Sequence, residues 1–254
     1  MATKGNDTDE IQHKKRLGDI ESKPSRKLMP IQGYADKDIV SLEEAVKPLV
    51  SLVQGVENQA KWAKWASEDI AADHLTQDES AAIRLYTADW EPQDKCLYYV
   101  LNATLRDENR QKLKPWFSFL KLFLTALGKV PLVQDTVYRG IRGDLRDQYQ
   151  KGSKVTWWSF SSCTQNIGTL KNEQFFGKEG PRTLFNIRCN NGRDIRPHSA
   201  FEDENEVLLP AARQFEVVDT LEQSAGLYIV QLREIKSSVC LLELEPSVSY
   251  FNTL

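Results

Sequence analysis

The sequence lacks any run approaching the roughly 18 apolar residues that a membrane helix needs. It has only four cysteines and three histidines. Cys96, Cys163, Cys189 and Cys240 stand far apart and never form a C-x-x-C pair, which excludes zinc-ribbon spacing and a disulfide framework. His13, His74 and His198 are equally scattered and no H-E-x-x-H occurs, so no metal centre is expected. Neither G-x-G-x-x-G nor G-x-x-x-x-G-K-[ST] is present, which excludes a Rossmann turn and a P-loop; the G-x-S-x-G nucleophile elbow is missing too. Charge of one sign is also scarce. The 33 Lys and Arg against 36 Asp and Glu leave a net −3, too little basic field to draw the chain onto nucleic acid. No nucleic-acid partner and no membrane are expected. Any chemistry falls to carboxylates, arginines and hydroxyls.

What is there is ordinary globular material. At 254 residues and 41% hydrophobic, the chain can bury a real core in one large domain or two small ones. The first thirty residues carry seven Lys/Arg against five Asp/Glu and no apolar stretch, unlike a secretory signal. Residues 1–35 read as a flexible leader, and the protein as cytoplasmic or nuclear with reduced thiols. A catalytic domain is expected over 36–254, with a helical lobe near 36–130 and a β lobe near 131–254.

The helical part is signalled by caps and period. Ser41-Leu42-Glu43-Glu44 is a capping box before Val46, Leu49, Val50 and Val53, with Pro48 expected to kink that helix or delay its start. Trp62, Trp65 and Ala66 continue the apolar stripe. Thr76-Gln77-Asp78-Glu79 is a second capping box, opening a helix through Ile83 and Tyr86. Asp94 is expected to cap a third helix carrying Leu97, Val100 and Leu101. The clearest helix starts near Pro115, carries Trp116, Phe117, Leu120, Phe123, Leu124 and Leu127 toward a core, and stops at Gly128. After Pro131 the pattern changes to short strands at 136–141, 155–158, 183–187, 206–209 and 227–232, separated by turns such as Asn190-Asn191-Gly192. Helices first and strands second predict an α+β fold.

Three segments in the strand half carry candidate chemistry. In Val137-Tyr138-Arg139-Gly140, a guanidinium fork stands at a strand end where glycine lets backbone approach a ligand, a geometry suited to phosphate. In Trp157-Trp158-Ser159-Phe160-Ser161-Ser162-Cys163-Thr164, a strand tip dense in hydroxyls stands against aromatic walls. In Phe201-Glu202-Asp203-Glu204-Asn205-Glu206, acids run into the apolar strand Val207-Leu208-Leu209. If extended, that stretch puts Glu204 and Glu206 on one side, roughly 6–7 Å apart, where each carboxylate shifts the other's ionisation. Each segment alone also reads as an ion-pairing arginine, a Ser/Thr turn or a solvated acidic loop.

Their order and spacing together are more specific. Arg, then S-x-[ST], then E-x-E before an apolar strand resembles the R-S-E class of mono-ADP-ribosyltransferases, in the arginine-specific branch that includes the vertebrate ecto-enzymes and the cholera-type toxins. Tyr138-Arg139-Gly140 is similar to the first motif of that family. Phe160-Ser-Ser-Cys-Thr164 resembles its F-x-S-T-S, with Cys163-Thr164 replacing the common Thr-Ser. Glu204-Asn-Glu-Val-Leu-Leu-Pro210 with Phe215-Glu216-Val217 resembles its E-x-E-V-L-I-P…F-E-V segment. Ala82–Thr87 and Leu97–Asn102 extend the likeness, which covers about 75–235 and weakly reaches 40. The signal peptide and membrane-anchor tail of the ecto-enzymes are not seen in this sequence.

The resemblance implies a helical N-terminal lobe packed on a split, mostly antiparallel β-sandwich. It implies cleavage of NAD⁺, as substrate, at the nicotinamide–ribose bond through an oxocarbenium-like transition state, with ADP-ribose passing to the guanidinium of an arginine on an acceptor protein. Glu206 would hold the ribose 2′-OH and counter the developing charge, with Ser162 orienting it. Arg139 would bind phosphate, and the Gly140 backbone the nicotinamide amide. Glu204 would orient and deprotonate the acceptor. Phe201 would meet the acceptor, and Phe175 or Phe176 would stack on nicotinamide. The alternatives are an NAD⁺ glycohydrolase and a non-catalytic NAD- or ADP-ribose-binding module.

Overall fold

The computed structural model describes residues 28–69, 73–171, 179–201, 205–224 and 226–242. The described residues divide into a helical unit, within 28–132, 193–201 and 240–242, and a β unit, within 133–192 and 205–239. Of the expected leader, 1–27 fall outside the described residues. Farther along it, Leu28, Ile31 and Tyr34 are buried, and the Ile31 N–H donates to the Leu241 carbonyl at 2.8 Å.

Among the described residues the helical unit has five α-helices: α1 (Leu42–Val46), α2 (Val56–Trp65), α3 (Gln77–Thr87), α4 (Leu97–Arg106) and α5 (Phe117–Lys129). Ser41 caps α1, but Pro48 falls in a 3₁₀ turn, Lys47–Leu49, that ends the helix after five residues. Both halves of the Thr76/Glu79 capping box form: the Thr76 N–H donates to Glu79 Oε2 at 2.8 Å and the Glu79 N–H to Thr76 Oγ1 at 3.3 Å. Every residue of α3 from Glu79 to Thr87 is buried, so this helix runs through the middle of the unit. Glu79 is held there by Lys129 Nζ at 2.7 Å, and Tyr86 stacks on Phe123 of α5 with ring centroids 4.9 Å apart.

Three local expectations need correcting. Cys96, not Asp94, is the N-cap of α4, because a 3₁₀ turn over Gln93–Lys95 occupies the expected first turn. The proline-led start of α5 is a 3₁₀ segment, Arg110–Trp116, and α5 passes through Gly128 to end at Lys129, where Pro131 forbids continuation. On α2 the buried stripe is Val56, Ala60 and Ala63, a helical i, i+4, i+7 set, which leaves Trp62 and Trp65 exposed on the other faces.

Among the described residues nine strands form one hydrogen-bonded sheet: β1 (Leu132–Val133), β2 (Thr136–Arg142), β3 (Lys154–Trp157), β4 (Ser161–Thr164), β5 (Arg182–Arg188), β6 (Gly192–Asp194), β7 (Glu206–Leu209), β8 (Arg213–Ser224) and β9 (Leu227–Ile235), in the order β1-β6-β7-β4-β2-β5-β9-β8-β3. The described pairings are antiparallel except that of β5 with β9, so the fold is α+β with a mostly antiparallel sheet. One face buries Val137, Ile141, Cys163, Phe185, Ile187, Val207, Leu209, Phe215, Val217 and Val230 in a single apolar cluster. Trp157 packs edge-on to Phe185 at 5.4 Å and donates its indole N–H to the Tyr149 hydroxyl at 3.0 Å.

The sheet has a seam. Seven consecutive pairs join β2 to β5, from Thr136↔Arg188 to Arg142↔Arg182, but a single registered pair, Tyr138↔Thr164, joins β2 to β4. The split suggested by the sequence is therefore a divergence of these two strands on either side of one residue pair. Among the described residues no helix is long and apolar enough to cross a membrane, and no group of three or more His, Cys, Asp or Glu could hold a metal ion.

Candidate active site

Of the singled-out residues, Arg139, Ser162 and Glu206 lie on β2, β4 and β7, strands adjacent around the seam. Arg139 follows Tyr138 on β2 and, by strand alternation, shares the face of Val137 and Ile141, both in the apolar cluster. It is 3% exposed. A guanidinium in such a place must be hydrogen-bonded, since a buried charge without partners is costly. Its Nη1 donates to the Ser162 carbonyl at 2.7 Å. The arginine thus reaches across to β4 where the ladder between the two strands has stopped, and the divergence and the buried guanidinium occur together.

Ser162 lies in β4, every residue of which is buried. Glu206 opens β7 and is fully buried. The β4–β7 register sets Thr164 opposite Glu206 and Ser162 opposite Leu208. Ser162 is therefore a diagonal neighbour of Glu206 on the same face, about 7–8 Å away between backbones, a span a glutamate side chain can bridge. With Tyr138 opposite Thr164, the residues Tyr138, Thr164 and Glu206 form one row across three strands. Thr164 was not singled out by sequence reasoning, although period two puts it on the face of Ser162. Its hydroxyl accepts the Asn166 N–H at 3.1 Å, turning the chain at the end of β4.

Gly140 pairs with Leu184 of β5 inside the ladder. Phe201 belongs to the helical unit, half-buried, with its N–H donating to Ser199 Oγ at 3.1 Å. Glu204, Phe175 and Phe176 fall outside the described residues. Asn205, just before Glu206, has a φ of +47°, in the left-handed region, so the extended run of β7 begins at Glu206; the expected spacing of Glu204 from Glu206 lies outside the described residues. Asparagine is one of the few residues that adopts this conformation readily.

A family model described as NAD:arginine ADP-ribosyltransferase matches residues 43–239. The chain belongs to that family. Among its relatives, the erythroblast NAD(P)(+)–arginine ADP-ribosyltransferase of Gallus gallus is 31% identical over 184 residues, which are 69% of this chain and 56% of the relative. The chain spans little more than half of that protein, and a fifth of a Mycobacterium avium relative that is 29% identical over 178 residues. Two solved structures have the same fold at low identity. The ADP-ribosyltransferase HopU1 of Pseudomonas syringae is 21% identical, with a TM-score of 0.57 over 79% of this chain and all of that one. The ADP-ribosyltransferase Vis of Vibrio splendidus, solved in complex with agmatine, is 20% identical, with a TM-score of 0.51 over 82% of this chain and 92% of that one.

Proposed function

We propose that this protein transfers ADP-ribose from NAD⁺ to the guanidinium of an arginine on an acceptor protein, releasing nicotinamide. The observation that carries the reading is the placement of Arg139, Ser162 and Glu206 on β2, β4 and β7, three strands adjacent in the sheet, around the point where β2 and β4 part. Family membership supports it, and the Vis complex supports a free guanidine as acceptor analogue.

In this reading Arg139 binds the phosphates of NAD⁺ by charge-assisted hydrogen bonds. Glu206 accepts the ribose 2′-OH. As the bond from ribose C1′ to the nicotinamide nitrogen breaks, its electron pair leaves with nicotinamide, and the carboxylate faces the positive charge that grows on the ribose. Ser162 fixes the backbone and side-chain geometry around Arg139 and Glu206, which is a demand of orientation. An acceptor guanidinium nitrogen then forms the new bond to C1′ and gives up a proton, which Glu204 takes. Removing that proton is the harder half of the reaction, because an arginine side chain is never deprotonated in isolation at neutral pH. Phe201 and, on NAD⁺, Phe175 or Phe176 supply aromatic contacts.

The test is incubation of the purified protein with NAD⁺ and agmatine, following nicotinamide and ADP-ribosyl-agmatine together. Both products are expected, with Glu206→Gln lowering both by at least about a hundredfold, the scale of losing one electrostatic stabiliser. Glu204→Gln is expected to remove transfer and retain some NAD⁺ hydrolysis. Nicotinamide without adduct from the unmodified protein would replace this reading with a glycohydrolase. Binding of NAD⁺ without either product would replace it with a non-catalytic module.

A further inference from the structure

Helix α2 has two faces of opposite character. Val56, Ala60 and Ala63 are buried, and Ser67 continues their line one turn beyond the helix. On the other faces stand Trp62, 39% exposed, and Trp65, 68% exposed, three residues apart and so neighbours on the helix surface. Tryptophan is highly buried on average, and two of them side by side in water mark a surface that something else covers.

The charges around the pair leave one sign over. Lys64 is committed to the neighbouring helices, its Nζ meeting Glu43 Oε2 at 3.0 Å and Asp78 Oδ1 at 3.1 Å. Lys61 follows Glu57 by four residues, the spacing at which a glutamate and a lysine face each other along a helix. Beyond Trp65 the chain turns once more, with the Ala66 N–H donating to the Trp62 carbonyl at 2.8 Å and the Glu68 N–H to the Trp65 carbonyl at 3.2 Å. That turn brings two further acids, Glu68 and Asp69, three and four residues after Trp65, and both are exposed. Carboxylates at the C-terminal end of a helix oppose its macrodipole. Neither they nor the exposed indoles serve the stability of α2.

We propose that Trp62, Trp65, Glu68 and Asp69 form a docking surface for an arginine-bearing segment of a partner protein. A planar guanidinium stacks on an indole face while its edge donates paired N–H bonds to a carboxylate, and this surface offers the two acceptors next to each other. A lysine ammonium is compact and strongly hydrated and cannot make the paired contact. A membrane surface suits tryptophan but not the two acids, which the anionic headgroups of the cytoplasmic leaflet repel. Two partly exposed indoles also fall well short of the roughly 800 Å² per partner that a stable dimer buries. The proposal goes beyond the transferase reading and needs no catalysis; under that reading a partner of this kind is an acceptor.

The test is a calorimetric titration of the protein, at about 0.15 M salt to screen distant charges, with a Gly/Ser peptide carrying spaced arginines and with the same peptide carrying lysines instead. The arginine peptide is expected to bind at least about threefold more tightly. Trp65→Ala is expected to weaken its binding about three- to tenfold, and Trp62→Ala and Glu68→Gln about two- to fivefold, the scale of one exposed cation–π contact or ion pair. Asp147→Asn, which removes an exposed carboxylate of the β unit, is expected to change nothing. Because all these side chains are exposed, the variants are expected to keep the parent's Tm. Equal affinity for the two peptides, or binding that survives Trp65→Ala, overturns the proposal. So does an equal loss in Asp147→Asn, which would make the attraction one of net charge. Binding to phosphatidylserine vesicles, or formation of a dimer, that Trp65→Ala abolishes while the arginine peptide does not bind would assign the surface to a membrane or to a second copy of the chain. A protein that releases no nicotinamide yet binds the arginine peptide through Trp65 would lose the transferase reading and keep the docking surface.

Discussion

His198 is the side chain on which pH acts most directly. Burial pushes its imidazole below the usual histidine range; the Asp73 hydrogen bond opposes this, the nearby Arg84 charge adds to it, and Asp194 works against it more weakly. The folded protein therefore holds His198 neutral to lower pH than the unfolded chain, whose histidines titrate near about 6.5. Below that value the unfolded state binds the extra proton, so stability is present above about pH 6.5 and is lost as pH falls toward the depressed folded value. Thermal melts at pH 7.5 and 5.5 are expected to show a drop in Tm that His198→Gln reduces. An equal drop in both proteins would assign the loss to other groups. The hydrogen bonds that join Ser80 to His198 and Thr87 to Ala200 are not legible in the sequence: the two hydroxyls look like interruptions of an apolar helix, and their partners lie 118 and 113 residues away. Arg139, Ser162 and Glu206 are singled out by motif order alone, which needs no knowledge of contacts. Asn205 was not, because a left-handed residue leaves no mark on a pattern that assumes strand alternation.

Among the elements, β7 is flanked by a strand on each edge. It pairs with β4 on one side and with β6 on the other, and Gly192 begins β6. A Cβ on Gly192 would stand 2.9 Å from Val207 Cγ1, 3.1 Å from Cys189 Sγ and 3.2 Å from Val133 Cβ. These neighbours are core atoms and cannot all give way. Gly192→Ala is expected to cost about 1–3 kcal/mol, the usual scale of overpacking, measurable as a lower urea midpoint at unchanged m-value. Because Val207 adjoins Glu206, the same change is expected to slow nicotinamide release in the surviving folded protein. A variant as stable as the parent would mean that β6 shifts away freely. The sequence announced β2, β3, β5, β7 and β9, by short runs rich in aliphatic, β-branched and aromatic residues. It did not announce β8, whose twelve residues bury only Phe215 and Val217 and expose a charged second half. Such a strand is held by its ladder to β9 and not by its own burial. The exposed Trp62 and Trp65 have the same explanation in reverse: helix period, not residue type, decides which face is covered.

For the whole molecule, the α+β order of helices followed by strands is visible in the sequence, but the order of strands within the sheet is not. Nothing local specifies that β9 lies parallel to β5 and antiparallel to β8, standing between them. That position has a consequence for how the protein is made. A ribosome delivers β9 after the other eight described strands, and until it arrives the sheet exists as two pieces, one ending at β5 and the other consisting of β8 and β3. Both expose an unfilled edge, which invites pairing with other chains. A chain stopped after Ser224 is accordingly expected to leave the ribosome as aggregate; a monomer with native circular dichroism on gel filtration would contradict this. In the untruncated chain the interval between synthesis of β8 and release of β9 is the period of greatest exposure, and slowing translation beyond Ser224 should increase the demand for chaperones.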